Sequence, residues 1–503
     1  MICEGIFKLG IVMKENTLCS MIDHSIDTWS ENRAIVHGNS VMTYRELGQK
    51  INSLARTLRN HGIEKGDSVA VVLPNIPDFV VSYFAILKVG GVAVTINTAS
   101  TQHELKYLLD NSDARAVITA PATAVKIREI RRELPLCRFL IVTEGVDGDI
   151  SWDEVMREES AYVKTPPLTG DDPAVIVYTA GLTGKPLGAV LTHKNLYTQA
   201  CLLRDLCDGT ERDRGLALIP LFHTFGATVN MLCALKMGGG MVMMDRFNLD
   251  SVFRTIETEG ATYISAVPRV YLGMMLYEDA ERFNVDSLRL CITGGSAMPV
   301  DYIPLFEKKF GVKLMEGYGL TEASPVCSFN LPQIKTKIGS IGVAVGDVET
   351  KIFDDEDHEL PRGEEGELVI RGSNVMKGYY KEPQRTAEVL RNGWLHTGDL
   401  ARIDEEGYIF LTGRKKRMII TSGFNVYPRE VETVLRMHEA VRDVLVVGKE
   451  DLMRGEIIKA LVILKNGHDL NDKELMKHCR QYLSSYKVPR EIEFVETLQQ
   501  ASN

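Results

Sequence analysis

No cysteine pattern here points to disulfides or a metal: the nine cysteines are scattered, with no C-x-x-C among them. An odd, unclustered set fits reduced, buried thiols, and a cytoplasmic location is the expectation. The eleven histidines show no H-E-x-x-H or comparable spacing, which argues against a structural or catalytic metal cage. No apolar run reaches membrane-spanning length, and Glu4 and Lys8 break up Met1–Gly10, so no secretory pattern opens the chain. Positive charge is not in excess. The net charge of −10 argues against general nucleic-acid binding and for a self-repelling, soluble surface. Internal repeats and low-complexity tracts are absent too. What remains is globular, with 45% hydrophobic and 25% charged residues over 503 positions. That length exceeds one ordinary core, so two or more domains are expected.

The first third alternates helical and strand patterns. Leu18–Ile26 predicts a short helix and Ala34–Val36 a strand. Thr43 with Glu46 reads as a capping box, and Leu47, Ile51, Leu54, Ala55 and Leu58 then recur at helical spacing. Strands are predicted at 68–73, 92–96 and 116–119, with helices at 78–89 and 102–111. This rhythm argues for a doubly wound α/β sheet with helices on both faces. Further on, runs at 339–343, 349–353, 366–371 and 378–380 read as an all-strand region, a small distorted β-barrel appended to the sheets. Residues 429–495 alternate helix and strand again as a small α+β unit.

Four stretches carry chemistry. Tyr178-Thr179-Ala180-Gly181-Leu182-Thr183-Gly184-Lys185-Pro186-Leu187-Gly188 lies between two apolar strands. Its glycines let backbone N–H groups converge on phosphate oxygens, and Thr179, Thr183 and Lys185 add donors. It is not a Walker loop, because Pro186 follows Gly184-Lys185 and a strand follows where a helix would open. On composition alone a plain Gly-rich hairpin reads equally well. His223, in Pro220-Leu221-Phe222-His223-Thr224-Phe225-Gly226, reads by itself as a core histidine. Glu316-Gly317-Tyr318-Gly319-Leu320-Thr321-Glu322 sets an aromatic face between glycines, followed by a hydroxyl and a hard oxygen ligand suited to Mg²⁺ beside phosphates. Asp399, in Thr397-Gly398-Asp399, has the two acceptor oxygens a ribose diol requires, although an aspartate there usually caps a turn. The seven methionines between Met231 and Met275 read mainly as core filling.

Taken together in this order, these motifs resemble the adenylate-forming superfamily, in its acyl-CoA synthetase branch. The likeness runs from Thr43 to Asn503. It implies a large domain of two doubly wound sheets plus the barrel (residues 1–415) and a small mobile α+β domain (416–503), hinged at Lys416. It implies ATP, Mg²⁺ and coenzyme A as the small molecules, a carboxylic acid as substrate, and an acyl-adenylate intermediate. A medium- or long-chain fatty acid is the expected acid, with aryl acids next, and the resemblance also admits a homodimer.

Carried over residue by residue, Thr179, Gly181, Thr183, Gly184 and Lys185 face the phosphates. Gly294, Gly295 and Ser296 contact adenine and acyl group, and His223 stands between acyl group and phosphates. Glu316, Gly317 and Gly319 frame the adenine on which Tyr318 stacks. Thr321 touches the α-phosphate, Glu322 with Thr183 holds magnesium, and Asp399 and Arg414 take the ribose. Gly423 and Phe424 form the coenzyme A face. Ala180, Leu182 and Leu187 depart from the pattern, removing two hydroxyls and a lysine.

The pattern closes with Leu-Pro-x-x-x-x-Gly-Lys, whose lysine serves adenylation. Aligned on Leu498, that lysine would fall about two residues beyond Asn503. A cut there is favoured over a natural absence, and adenylation by the chain as it stands is expected to be impaired. Two other readings stay open: a stand-alone adenylating domain that loads a carrier protein, and a non-catalytic acyl-nucleotide binder. The stretch Ser422–Pro428 favours coenzyme A.

Overall fold

The computed structural model describes residues 16–145, 148–157, 161–179, 185–244, 247–331, 333–415, 418–468 and 470–498. Gly181, Thr183, Gly184 and Lys416, with Ala180 and Leu182, lie outside them.

Two parallel-cored sheets dominate the large domain. In the first, Arg33–His37, Gly240–Met243, Arg214–Ala217, Tyr263–Ala266, Leu290–Thr293 and Lys313–Gly319 run parallel, with antiparallel strands added at both edges. In the second, Ser68–Val72, Val92–Thr95, Ala116–Thr119, Phe139–Val142, Ile150–Ser151 and Pro173–Thr179 are parallel. Leu187–Thr192 and then Gly378–Tyr379 extend that sheet antiparallel.

Helices Leu18–Thr28, Tyr44–Asn60, Pro77–Lys88 and His193–Leu206 fill the space between the sheets as one core. Separate layers cover the outer faces. Val69 and Val71 point into the middle core, whereas Ala70 and Val72 point into the outer one. Strands buried on both faces must be continuously apolar, which is why these runs were legible.

Thr43 and Glu46 form the expected capping box, as do Thr101 and Glu104 at the start of helix Gln102–Asn111. The region expected as a small barrel is an antiparallel sheet of five strands around Gly366–Arg371 and Trp394–Ile403. It also contains helix Pro383–Val389 where only strands were expected. Residues 339–342 are a turn, with positive φ at Gly339 and Gly342, and the strand there is Val343–Ala344.

The small C-terminal domain folds strands Ile419–Thr421, Phe424–Val426, Val441–Asp451, Gly455–Leu464 and Glu491–Phe494 against helices Pro428–Arg436 and Asp472–Tyr482. Its core is its own. Among the described residues no helix is long and apolar enough to cross a membrane.

Candidate active site

A cleft of about 780 Å³ opens at the carboxyl ends of Leu290–Thr293 and Lys313–Gly319. Open α/β sheets bind ligands at that edge, where loops leave the sheet free of side-chain packing. The second sheet contributes Thr179, Leu187 and Tyr379, the third contributes Asp399 and Arg414, and the small domain contributes Met418, Ile420, Gly423 and Tyr427.

Asp399 is not the exposed turn residue its sequence context suggests. It lies within strand Trp394–Ile403, only 8% exposed, directly across from Arg414 on the neighbouring strand. The Arg414 Nε meets Asp399 Oδ1 at 2.9 Å, and the Tyr318 hydroxyl donates to Oδ2 at 2.6 Å. Burial still holds the Asp399 carboxyl above its ordinary range, against the pull of Arg414 and Tyr318. Tyr318 and Arg414, both expected to hold the nucleoside, thus each contact the third such residue, Asp399.

The glycines beside Tyr318 have a packing reason. A Cβ at Gly317 would fall 2.7 Å from the Phe329 ring, and one at Gly319 would fall 2.0 Å from the Pro325 carbonyl oxygen. Strand Lys313–Gly319 can pair with Val326–Phe329 only if both stay bare.

Glu322 sits in the short helix Thr321–Ala323. Its Oε1 accepts from the Tyr379 hydroxyl at 2.8 Å and from Thr179 Oγ1 at 3.4 Å. Burial raises this carboxyl too, although Tyr379 and Thr179 oppose the shift. Tyr379 has no local sequence signal for this role. It arrives through pairing of Gly378–Tyr379 with Leu187–Thr192, while Tyr427 reaches the same place from the small domain. Among the described residues no three His, Cys, Asp or Glu side chains cluster as a metal cage. One hard carboxylate beside a hydroxyl instead fits Mg²⁺, which binds through one or two carboxylates and substrate phosphates.

Glu316 neighbours Thr293 across the strand pair, and its Oε1 accepts the Met298 N–H at 2.9 Å. Burial pushes its carboxyl up to about 7. His223 Nδ1 accepts the Phe225 N–H at 3.2 Å, and burial pushes the imidazole down to about 4, so it is neutral at pH 7. Just beyond it, residues Gly226–Leu232 form a π-helix. Gly226 permits it, because a Cβ there would meet the Pro220 carbonyl oxygen at 2.2 Å. Such i→i+5 turns often mark functional sites.

From His223 the cleft runs along an apolar wall of Phe225, Val229, Leu203, Val326 and Phe329. The methionine group is not part of this wall: Met231, Met237, Met241, Met243 and Met274 are buried in the cores. Gly294, Gly295 and Ser296 line the cleft, and Gly295 takes the positive φ its type allows.

Leu187, where the resembling pattern has lysine, is a buried wall residue that pairs with Thr179. Lys185 is exposed beside it. Gly423 enters the cleft from the small domain, and a Cβ on it would stand 2.6 Å from Val267 Cγ1. Phe424 does not line the cleft; its ring stacks on Tyr486, with centroids 4.4 Å apart. Of the expected site residues within the described range, all but Lys185 and Phe424 line this one cleft.

The AMP-binding enzyme family matches residues 22–380, and the AMP-binding enzyme C-terminal domain matches residues 430–503. A long-chain-fatty-acid–CoA ligase of Bacillus subtilis is 35% identical, over 97% of this chain and 92% of its own length. A feruloyl-CoA synthase of Amycolatopsis is also 35% identical, over 92% of each. Among solved structures, o-succinylbenzoate CoA synthetase from Bacillus subtilis has a TM-score of 0.86 at 28% identity, covering 95% of both chains. An amide bond synthetase from Marinactinospora thermotolerans has a TM-score of 0.87 at 27% identity, covering 95% of this chain and 96% of its own.

Proposed function

The chain belongs to the AMP-binding enzyme family, in the acyl-CoA synthetase branch of the adenylate-forming superfamily, and on that premise we propose the following division of labour in its cleft. The enzyme is an AMP-forming acid–CoA ligase that works through an acyl-adenylate, with ATP and coenzyme A as substrates. Its acid is a medium- or long-chain fatty acid, with aryl acids second. The long-chain ligase and feruloyl-CoA synthase relatives support that order, as does the apolar wall from Phe225 to Phe329.

The single observation that carries the reading is the convergence of Tyr318, Asp399 and Arg414 with Glu322 in one cleft. Asp399 exchanges its protein contacts for the ribose hydroxyls, with Arg414 alongside, and Tyr318 offers its face to adenine. Thr179, Lys185 and the loop beyond the described residues take the phosphates. Glu322 holds Mg²⁺, which when bound neutralises phosphate charge. Neutral His223 lies between the acyl carboxylate and the phosphates, where an imidazolium would bind the ground state instead of the charge that moves to the leaving group. The domain from Lys416 onward turns on residues 1–415 between half-reactions, and Gly423 facing Val267 is the arrangement for thioester formation.

A panel of carboxylates, assayed for AMP and thioester formation with ATP and coenzyme A, tests this. Coenzyme A-dependent turnover, highest with fatty acids of eight or more carbons, is the expected result. Acyl transfer only to a carrier protein, or ATP binding with no turnover on any acid, would displace it.

A further inference from the structure

The seam between the two domains contains a second cluster of charge, remote from the cleft chemistry. Lys487 of the small domain is buried between two carboxylates. Its Nζ lies 2.8 Å from Glu104 Oε1 of the large domain and 2.7 Å from Glu430 Oε1 of its own domain. All three side chains are 8% exposed or less. Ser484 Oγ donates to the other oxygen of Glu104 at 2.6 Å, and Thr101 Oγ1 donates to the Tyr482 carbonyl at 3.1 Å. Tyr486, next to Lys487 in the chain, stacks on Phe424. An unbroken line of contacts thus leads from the large domain to the turn that brings Gly423 against Val267.

We infer that Glu104 and Lys487 are positioning residues for thioester formation, forming a reversible latch that closes only when the Gly423 face is turned to the cleft. The chemistry of the released state supports reversibility. When the domains part, Lys487 keeps Glu430, a balanced pair on one domain. Glu104 keeps the Thr101 N–H and the N-terminus of helix Gln102–Asn111, where a carboxylate is stable in water. Neither side is left with an unpaired buried charge. When they close, Glu104 gains Lys487 and Ser484, while Glu430 Oε2 has no hydrogen-bond partner among the described residues. A closed seam with three charges and one unmet oxygen is tight without being permanent.

The inference rests on the proposed two-domain cycle, and its test separates the two. Hydrogen exchange of the full chain, read by mass, is compared for the unmutated protein, Glu104→Gln and the milder Ser484→Ala. Glu104→Gln should speed exchange about fivefold or more on both sides of the seam, at residues 102–111 and 482–488. With a supplied fatty acyl-adenylate and saturating coenzyme A, its thioester formation should fall about tenfold, which is the scale of one charged hydrogen bond. ATP affinity should stay within twofold. Ser484→Ala should show the same pattern at about threefold.

Faster exchange confined to residues 102–111 would overturn the latch, since that is a local capping loss. Unchanged thioester formation in both variants, or a parallel fall in ATP affinity, would overturn it equally. If the unmutated chain makes no thioester, the functional reading fails. The exchange pattern then decides the latch alone: protection lost on both sides supports it, and protection lost on one side refutes it.

Discussion

Two buried clusters of carboxylates, one in the cleft and one in the seam, differ in how nearly the protein completes them. In the cleft, Glu316, Glu322 and Asp399 are all held above the ordinary carboxylate range, and burial is the main cause for each. In the seam, burial also works against ionisation of Glu104, but Lys487 and Ser484 overcome it and hold that carboxyl low. Glu430 remains raised by burial, since Lys487 is shared between two acids. Glu367 shows that the cleft wall itself can satisfy a carboxylate. It receives the Gly398 N–H at 2.9 Å and Lys415 at 3.1 Å, and these with His396 hold it low despite burial. Uncompensated burial is therefore common to these three acids of the cleft, whereas in the seam it falls on Glu430 and not on Glu104. Several undercompensated acids gathered in one cleft mark a candidate ligand site.

Breaking the seam should have the largest effect. Lys487→Met sets two carboxylates against each other in the closed seam, and removing one partner of a buried ion cluster commonly costs about 3–5 kcal/mol. Because parting the domains relieves that repulsion, the cost falls on closure: hydrogen exchange should show protection lost on both sides of the seam, with ATP affinity within twofold of the parent. A parallel collapse of ATP binding would erase the distinction between seam and cleft.

The next effect belongs to the cleft. Asp399→Asn keeps the shape and the strand but loses the charge that Arg414 and a ribose both seek. Two charge-assisted hydrogen bonds are worth roughly 2–4 kcal/mol, so calorimetry should find ATP affinity down at least about thirtyfold with the fold intact. Because Asp399 is buried and paired, alanine would also disturb the strand, and asparagine is the cleaner probe.

How far these regions could be read beforehand follows from distance along the chain. Helix Gln102–Asn111 and strand Ala116–Thr119 lie where periodicity predicts them, because caps and apolar spacing are local. Residues Glu316 to Glu322 were legible as one contiguous run. Asp399 and Arg414 were legible singly, but not as cross-strand partners, since register is a property of the sheet. Tyr379 carried no signal at all. Helix Pro383–Val389 buries no residue, so no apolar stripe announces it, and the π-helix at 226–232 has no distinct period to detect. The seam was invisible for the plainest reason: Glu104 and Lys487 are 383 positions apart.

A smaller effect should separate the cleft acids by pH. The folded Glu316 carboxyl is raised to about 7 from an ordinary 4.5. Between those values the folded state holds a proton the unfolded state has lost, so stability falls as pH rises through that window and is flat above it. Glutamine mimics the protonated acid and can still accept the Met298 N–H. Glu316→Gln should therefore match the parent below about pH 4.5 and exceed it by about 1–3 kcal/mol above pH 7. Parallel pH–stability curves for the two proteins would show that Glu316 ionises without cost, and its cleft environment would have to be reassessed.

The smallest effect tests Tyr379, the cleft residue that only the structure revealed. Its hydroxyl gives Glu322 its shorter hydrogen bond, while the ring packs beside the strand that follows the phosphate loop. Tyr379→Phe keeps the ring and removes the one donor, a change worth about 1 kcal/mol. The loss has a direction that mere packing damage would not have. Without Tyr379, Glu322 retains the longer Thr179 contact among the side chains of the described residues and is freer to turn away from the position where a cation would bridge it to phosphate. ATP titrated with Mg²⁺ should bind several-fold more weakly, whereas ATP titrated in chelator should bind as in the parent. The melting temperature should move by a degree or two at most, roughly what 1 kcal/mol or less means in a chain of this size. Equal weakening with and without Mg²⁺ would assign Tyr379 to the walls of the cleft and show that it does not orient Glu322 for the cation.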